Sequence, residues 1–123
     1  MTSGTHLFTY GTLMDNAVWS RVAQEQSVSR RAVLHGYEAR KLRSVTFPGL
    51  VECAGAITPG LVYFDVSATA MARLDAYEDD FYERVPVPVV LDDSSEITAD
   101  LYLMMPSHRD EVLPERWEPP AAP

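Results

Sequence analysis

The residues best equipped for chemistry lie between Leu74 and Arg84, in the run Leu-Asp-Ala-Tyr-Glu-Asp-Asp-Phe-Tyr-Glu-Arg. Five carboxylates (Asp75, Glu78, Asp79, Asp80, Glu83) alternate there with three aromatics (Tyr77, Phe81, Tyr82). A carboxylate crowded by others and partly walled by rings resists ionisation, which makes it a better proton shuttle near neutral pH. Glu78 is the candidate acid/base. It follows Leu74 by one helical turn, which projects it near the core-facing edge of the helix expected there. By charge pattern alone, a solvated acidic loop is the commoner meaning of such a run.

A second stretch can bind rather than shuttle. His6 to Tyr10 has strand character, Gly11 interrupts it, and Asp15 is suited to cap a helix from Asn16 to about Gln24. Amide N–H groups opening a helical turn have no partner inside it and can hold a carboxylate or a developing oxyanion. Gly11 would let a ligand approach the backbone closely. Taken alone, Tyr10-Gly11-Thr12-Leu13 is also what an ordinary tight turn looks like.

Other chemistries lack their residues. The three histidines, His6, His35 and His108, are far apart and without metal-ligand spacing. Cys53 is the only cysteine, so no internal disulfide is available, and a small core residue is its expected role. No cofactor and no metal are expected. A net charge of −8 argues against nucleic acid or anionic lipid as the main partner. No basic region followed by a long apolar run opens the chain, and no apolar stretch nears the roughly 20 residues of a membrane helix. The expectation is a soluble, cytoplasmic protein with a small-molecule partner; nothing in the pattern sets an oligomeric state.

The elements that must position these residues follow from periodicity. Strand pieces are expected within residues 30–43 around Gly36, and Pro48-Gly49 and Pro59-Gly60 read as turns. Residues 61–66 alternate, with Leu61, Tyr63 and Asp65 on one face and Val62, Phe64 and Val66 on the apolar one. Ser67 caps a helix from Ala68 to about Tyr77, whose stripe is Ala68, Met71, Ala72 and Leu74. Leu74 and Tyr77 anchor its end. Residues 82–105 form an antiparallel hairpin turning at Asp92-Asp93-Ser94-Ser95, and Pro86 and Pro88 make its first strand an edge or interrupted strand. A chain of 123 residues suits one domain, 1–123, with a polar, proline-rich tail from about 106 whose Trp117 docks on the body. The sum is an α+β fold, a curved mixed sheet or small barrel with two short helices.

Two stretches together resemble the γ-glutamylcyclotransferase-like superfamily, especially its γ-glutamylamine cyclotransferase and avirulence-induced-gene-like branch. Leu7-Phe8-Thr9-Tyr10-Gly11-Thr12-Leu13-Met14 is similar to the family's strand ending in Tyr-Gly-Ser/Thr-Leu. Leu74 to Arg84 resembles its Leu-Asp-x-x-Glu segment with a following tyrosine and basic residue. Fainter echoes lie at Gly36-Tyr37, Phe47-Pro48-Gly49 and Gly60-Leu61-Val62-Tyr63.

The resemblance implies a small mixed β-barrel with flanking helices. It implies Glu78 as the catalytic residue, and Tyr10, Gly11, Thr12, Leu13 and Tyr82 around a γ-glutamyl group. The reaction implied is release of an amine or peptide with formation of 5-oxoproline. Thr12-Leu13, where peptide-cleaving relatives often carry Ser-Asn, favours the amine branch. Asp79-Asp80, where many relatives carry glycine after the glutamate, leaves the shape of that loop open. A non-catalytic binding or regulatory module on the same fold is the alternative. A calcium-binding loop is disfavoured, because Asp75 to Glu83 lacks the alternating ligands and glycine of an EF-hand.

Overall fold

Period-two patterning turns most of the chain into strands that curl onto one another. The structure is a computed structural model describing residues 5–43, 48–78 and 81–117, except the side chains of Thr12, Pro106 and Arg109. In order come β1 (Thr5–Thr9), a 3-10 turn (Thr12–Met14), α1 (Asn16–Ala23), β2 (Ser29–Leu42) and β3 (Gly49–Val66). They are followed by α2 (Ala68–Glu78), β4 (Tyr82–Leu91), β5 (Glu96–Met104), a 3-10 turn (Pro106–Glu111) and β6 (Val112–Arg116). Phe47 of the Phe-Pro-Gly echo, Asp79, Asp80 and the chain beyond Trp117 lie outside the described residues.

The strands run in the order β3-β1-β5-β4-β2, and β2 pairs back onto β3, so five strands close into a barrel. The β1–β5 pair is parallel and the others antiparallel, which makes the barrel mixed, as expected. Each of the five contributes to one interior cluster, including Phe8, Leu34, Val62, Val89 and Leu101. Alternate positions on the outside, Leu7, Tyr63 and Val66, pack with Trp19 of α1 and Met71 and Leu74 of α2. No helix among the described residues is long and apolar enough to cross a membrane.

Local chemistry sets the ends of the helices. Asp15 accepts the Ala17 N–H at 2.8 Å, and Gln24 ends α1 in the left-handed region at φ 58°. Ser67 Oγ accepts the Ala70 N–H at 3.0 Å, while its own hydroxyl and N–H are held by the Glu25 carboxylate at 2.7 and 3.0 Å. β4 pairs with β5 from Tyr82 to Val90 but meets β2 only at Val90 and Leu91, so Pro86 and Pro88 fall where the second neighbour is missing.

Several expectations change. Pro59-Gly60 does not break the chain. Both residues lie inside β3, paired with Val33 and Ala32, and a Cβ at Gly60 would sit 2.2 Å from the Thr9 carbonyl oxygen. The glycine is there for close approach of β1, not for a turn. Tyr63 was grouped with Asp65 on a polar face but is 1% exposed. The helices cover that face, and Asp65, at φ 53°, disrupts the alternation. The buried residues of α2 are Ala70, Met71 and Leu74, while Ala68 and Ala72 are exposed. Tyr77 is exposed too, so Leu74 alone of the two anchors the helix end. Past residue 106 the chain is more ordered than a polar tail: β6 pairs with β2, Val112 opposite Leu42 and Arg116 opposite Arg40.

Candidate active site

At one end of the barrel, segments distant in sequence form a single recess. It holds about 360 Å³ including its mouth and is lined by Tyr10, Gly11, Leu13, Pro48, Glu78, Tyr82 and Tyr102, with Phe8 and Thr9 at its base. Of the residues singled out in the sequence, Glu78, Tyr10, Gly11, Leu13 and Tyr82 all meet here. Thr12 contributes its backbone to the adjoining turn; its side chain lies outside the description. A larger groove between β2, β3 and the end of β4 contains neither Glu78 nor the Tyr10–Leu13 loop.

The glycine turn is fixed from two sides. The Met14 N–H donates to the Gly11 carbonyl at 3.1 Å, closing the 3-10 turn. The amides of Thr12 and Leu13 precede that first bond and have no partner within the turn. From beneath, the Tyr63 hydroxyl donates to the Leu13 carbonyl at 3.0 Å and lies 3.2 Å from Asn16 Oδ1. The Tyr63 ring stacks on Trp19 at 3.7 Å, and burial pushes its phenol up to about 12. From the other side, the Pro48 ring lies where a Cβ at Gly11 would come within 3.3 Å of it. The Pro48 carbonyl in turn accepts the Tyr82 hydroxyl at 2.5 Å.

Glu78 closes α2 on the wall of this recess. Burial pushes its carboxyl up to about 7, far above the ordinary 4.5. Of the two causes the sequence suggests, crowding acids and walling rings, the walls raise it, and the described acids Asp75 and Glu83 do not. Asp75 is held by Arg84 (Oδ1 to Nε 2.9 Å, Oδ2 to Nη2 3.2 Å) and accepts the Tyr102 hydroxyl at 2.7 Å. Arg84 also reaches Asp100 at 2.7 Å. Glu83 is exposed.

Three tyrosines surround the carboxyl, and burial is the first cause that raises each phenol: Tyr10, Tyr82 and Tyr102. They stay neutral, and each commits its proton away from Glu78: Tyr10 to the Tyr102 carbonyl, Tyr82 to Pro48, Tyr102 to Asp75. The recess therefore brings a carboxyl poised near neutral pH together with three neutral phenols and with Gly11 and Leu13 of the glycine turn. Sequence patterning missed Tyr63 and Tyr102. They sit on strands that read as half-exposed, and only closure of the barrel buries their faces.

A closed five-stranded mixed barrel with two helices and this recess at its end has a γ-glutamyl-cyclotransferase-like fold. The chain belongs to the family described as gamma-glutamyl cyclotransferase, AIG2-like, which matches residues 7–119. It is 31% identical over 99 residues to Protein AIG2 C of Arabidopsis thaliana, a match covering 80% of this chain and 60% of that protein. The chain thus spans about 60% of that curated relative's length. Another Arabidopsis thaliana protein, solved in solution, superposes with a TM-score of 0.80 at 25% identity, covering 90% of this chain and 75% of its own. A solved gamma-glutamyl cyclotransferase superposes with a TM-score of 0.75 over 82% of this chain and 66% of its own; at 18% identity the likeness is one of fold.

Proposed function

We propose that this chain is a γ-glutamyl cyclotransferase. It releases an amine or peptide from a γ-glutamyl compound as 5-oxoproline forms, with Glu78 as general base and then general acid. The observation that carries the reading is one half-buried carboxyl, poised at about 7, in the recess that Tyr10, Gly11 and Leu13 also line.

The substrate carries both reactants, so ring closure is intramolecular and the protein's main task is to hold a bent conformer. The α-amine attacks the γ-carbonyl carbon and must lose a proton to do so. An α-amino group has a reference pKa of about 7.7–8.0, close enough to a carboxylate titrating near 7 for efficient transfer. Glu78 takes that proton and returns it to the leaving nitrogen as the C–N bond breaks. Acid and base are one residue, and the proton count closes without a co-reactant. The Thr12 and Leu13 amides suit the α-carboxylate or the tetrahedral oxyanion. The Tyr10 hydroxyl oxygen suits the amine's hydrogens.

The test is 5-oxoproline release from a panel of γ-glutamyl amines, γ-glutamyl amino acids and glutathione. Glu78→Gln is expected to lower turnover by about 10²–10⁴-fold with little change in affinity. Undiminished turnover in that variant would remove Glu78 from the mechanism. Tight binding without release from any substrate would identify a binding module instead.

A further inference from the structure

A second recess adjoins the first, and Tyr10 lines both. It holds about 460 Å³ with its mouth, and Glu38, Ile57, Pro59, Arg116 and Trp117 line the side away from Glu78. Trp117 is fixed there by its backbone N–H, which donates to the Ala39 carbonyl at 3.0 Å, and its ring packs against the interior cluster. Ile57 is 52% exposed, so the recess offers an apolar floor open to solvent.

Two charged side chains line it, Glu38 and Arg116. Glu38 accepts from Arg40 Nε at 2.8 Å through one oxygen and from Arg116 Nη2 at 3.2 Å through the other. Its carboxylate is thus shared between two guanidiniums and does not saturate Arg116. The Arg116 side chain is 62% exposed and reaches Glu38 through a single nitrogen, which leaves the rest of its donor fork toward solvent.

We propose that this second recess is the subsite for the leaving group, and that it selects leaving groups bearing a carboxylate: an amino acid or peptide, with an apolar body on Trp117 and Ile57 and its carboxylate on Arg116. The proposal rests on the cyclotransferase reading. If the γ-glutamyl head occupies the recess at Glu78, whatever lies beyond the scissile bond must extend into a neighbouring space, and this one is a single tyrosine away. A polyamine or other cationic amine has no carboxylate for Arg116 to hold. A plain alkylamine gains the apolar floor but nothing from Arg116.

The experiment pairs γ-glutamyl-phenylalanine with γ-glutamyl-phenethylamine, which share an aromatic body and differ in the carboxylate. 5-Oxoproline release is measured with the wild type, and binding of both compounds by calorimetry with Glu78→Gln. The carboxylate compound is expected to be favoured about fivefold in kcat/KM and in affinity, the upper end for an exposed ion pair. Arg116→Ala should erase that preference by raising KM for γ-glutamyl-phenylalanine alone, with kcat unchanged. Trp117→Ala should weaken both compounds together. Equal handling of the pair by the wild type, or an equal effect of Arg116→Ala on both, overturns the subsite and leaves the cyclotransferase reading standing. An Arg116-dependent binding preference with no 5-oxoproline from either compound supports the subsite and overturns the reaction. Absence of both binding and release overturns both.

Discussion

Replacing Glu78 with glutamine should make the protein more stable above neutral pH. The native carboxyl titrates at about 7 and its ordinary value is 4.5. Between those values the folded protein holds a proton that the unfolded chain has released, so stability falls as pH rises through that window and levels off above it. A gap of two to three units corresponds to about 3 kcal/mol of stability lost to this one group at alkaline pH. Glutamine has nearly the same shape and no charge to desolvate, so Glu78→Gln escapes the loss. Urea unfolding of both proteins from about pH 4.5 to about pH 8.5 measures the difference directly, since groups unaffected by the substitution cancel. The variant's advantage should grow from a small offset at the acid end to about 3 kcal/mol at the alkaline end, with most of the change below about pH 7. A difference that stays flat across the range, or a wild type that is the more stable at alkaline pH, would refute the claim that burial holds Glu78 protonated. The same variant should be inactive, so the two measurements place stability and activity in opposition at one side chain.

Other substitutions probe how the site is held. Gly11→Val should raise KM far more than it lowers the midpoint of thermal unfolding, because its Cβ would begin 3.3 Å from the Pro48 ring on the wall of the recess; steady-state kinetics beside a melting curve checks this. Asp75→Asn weakens the tie from α2 to Arg84, and for a pair this exposed the cost should be about 1 kcal/mol by denaturant titration. Its larger effect should be a fall in kcat with little change in KM, since the helix end that carries Glu78 loses its clamp to β4 and β5. Gly60→Ala should cost about 1–3 kcal/mol by denaturant titration, because the added methyl meets the Thr9 carbonyl oxygen and the Phe8 ring.

Much of this site was legible before any coordinates. The acidic segment, the glycine turn and the helix caps at Asp15 and Ser67 are local patterns, governed by residues within a few positions of one another. Resemblance added what local patterning lacks, the pairing of Glu78 with a turn more than sixty residues earlier. What stayed hidden depends on closure. Tyr63 reads as a solvent-facing strand residue until α1 and α2 cover the barrel wall. Pro59-Gly60 reads as a turn until β1 is seen lying against it. The cause of the raised Glu78 carboxyl is legible in part: a ring beside it is visible at Tyr82, whereas its burial by the distant Tyr10 and Tyr102 is not. β6 escaped because Val112 to Arg116 has little apolar alternation and pairs with only the far end of β2.

The parallel seam between β1 and β5 has a consequence for how the protein comes to exist. It joins Leu7 to Asp100, and beside it the Tyr10 hydroxyl meets the Tyr102 carbonyl. β1 is thus completed only by β5, and closure of the barrel must wait for a contact more than ninety residues away, a topology that favours slow closure. A nascent chain still within the ribosome at β5 has Glu78 and the glycine turn but no recess to hold them. Competence should therefore arrive in one step, once β5 has been made, and fragments that end before β5 should have none.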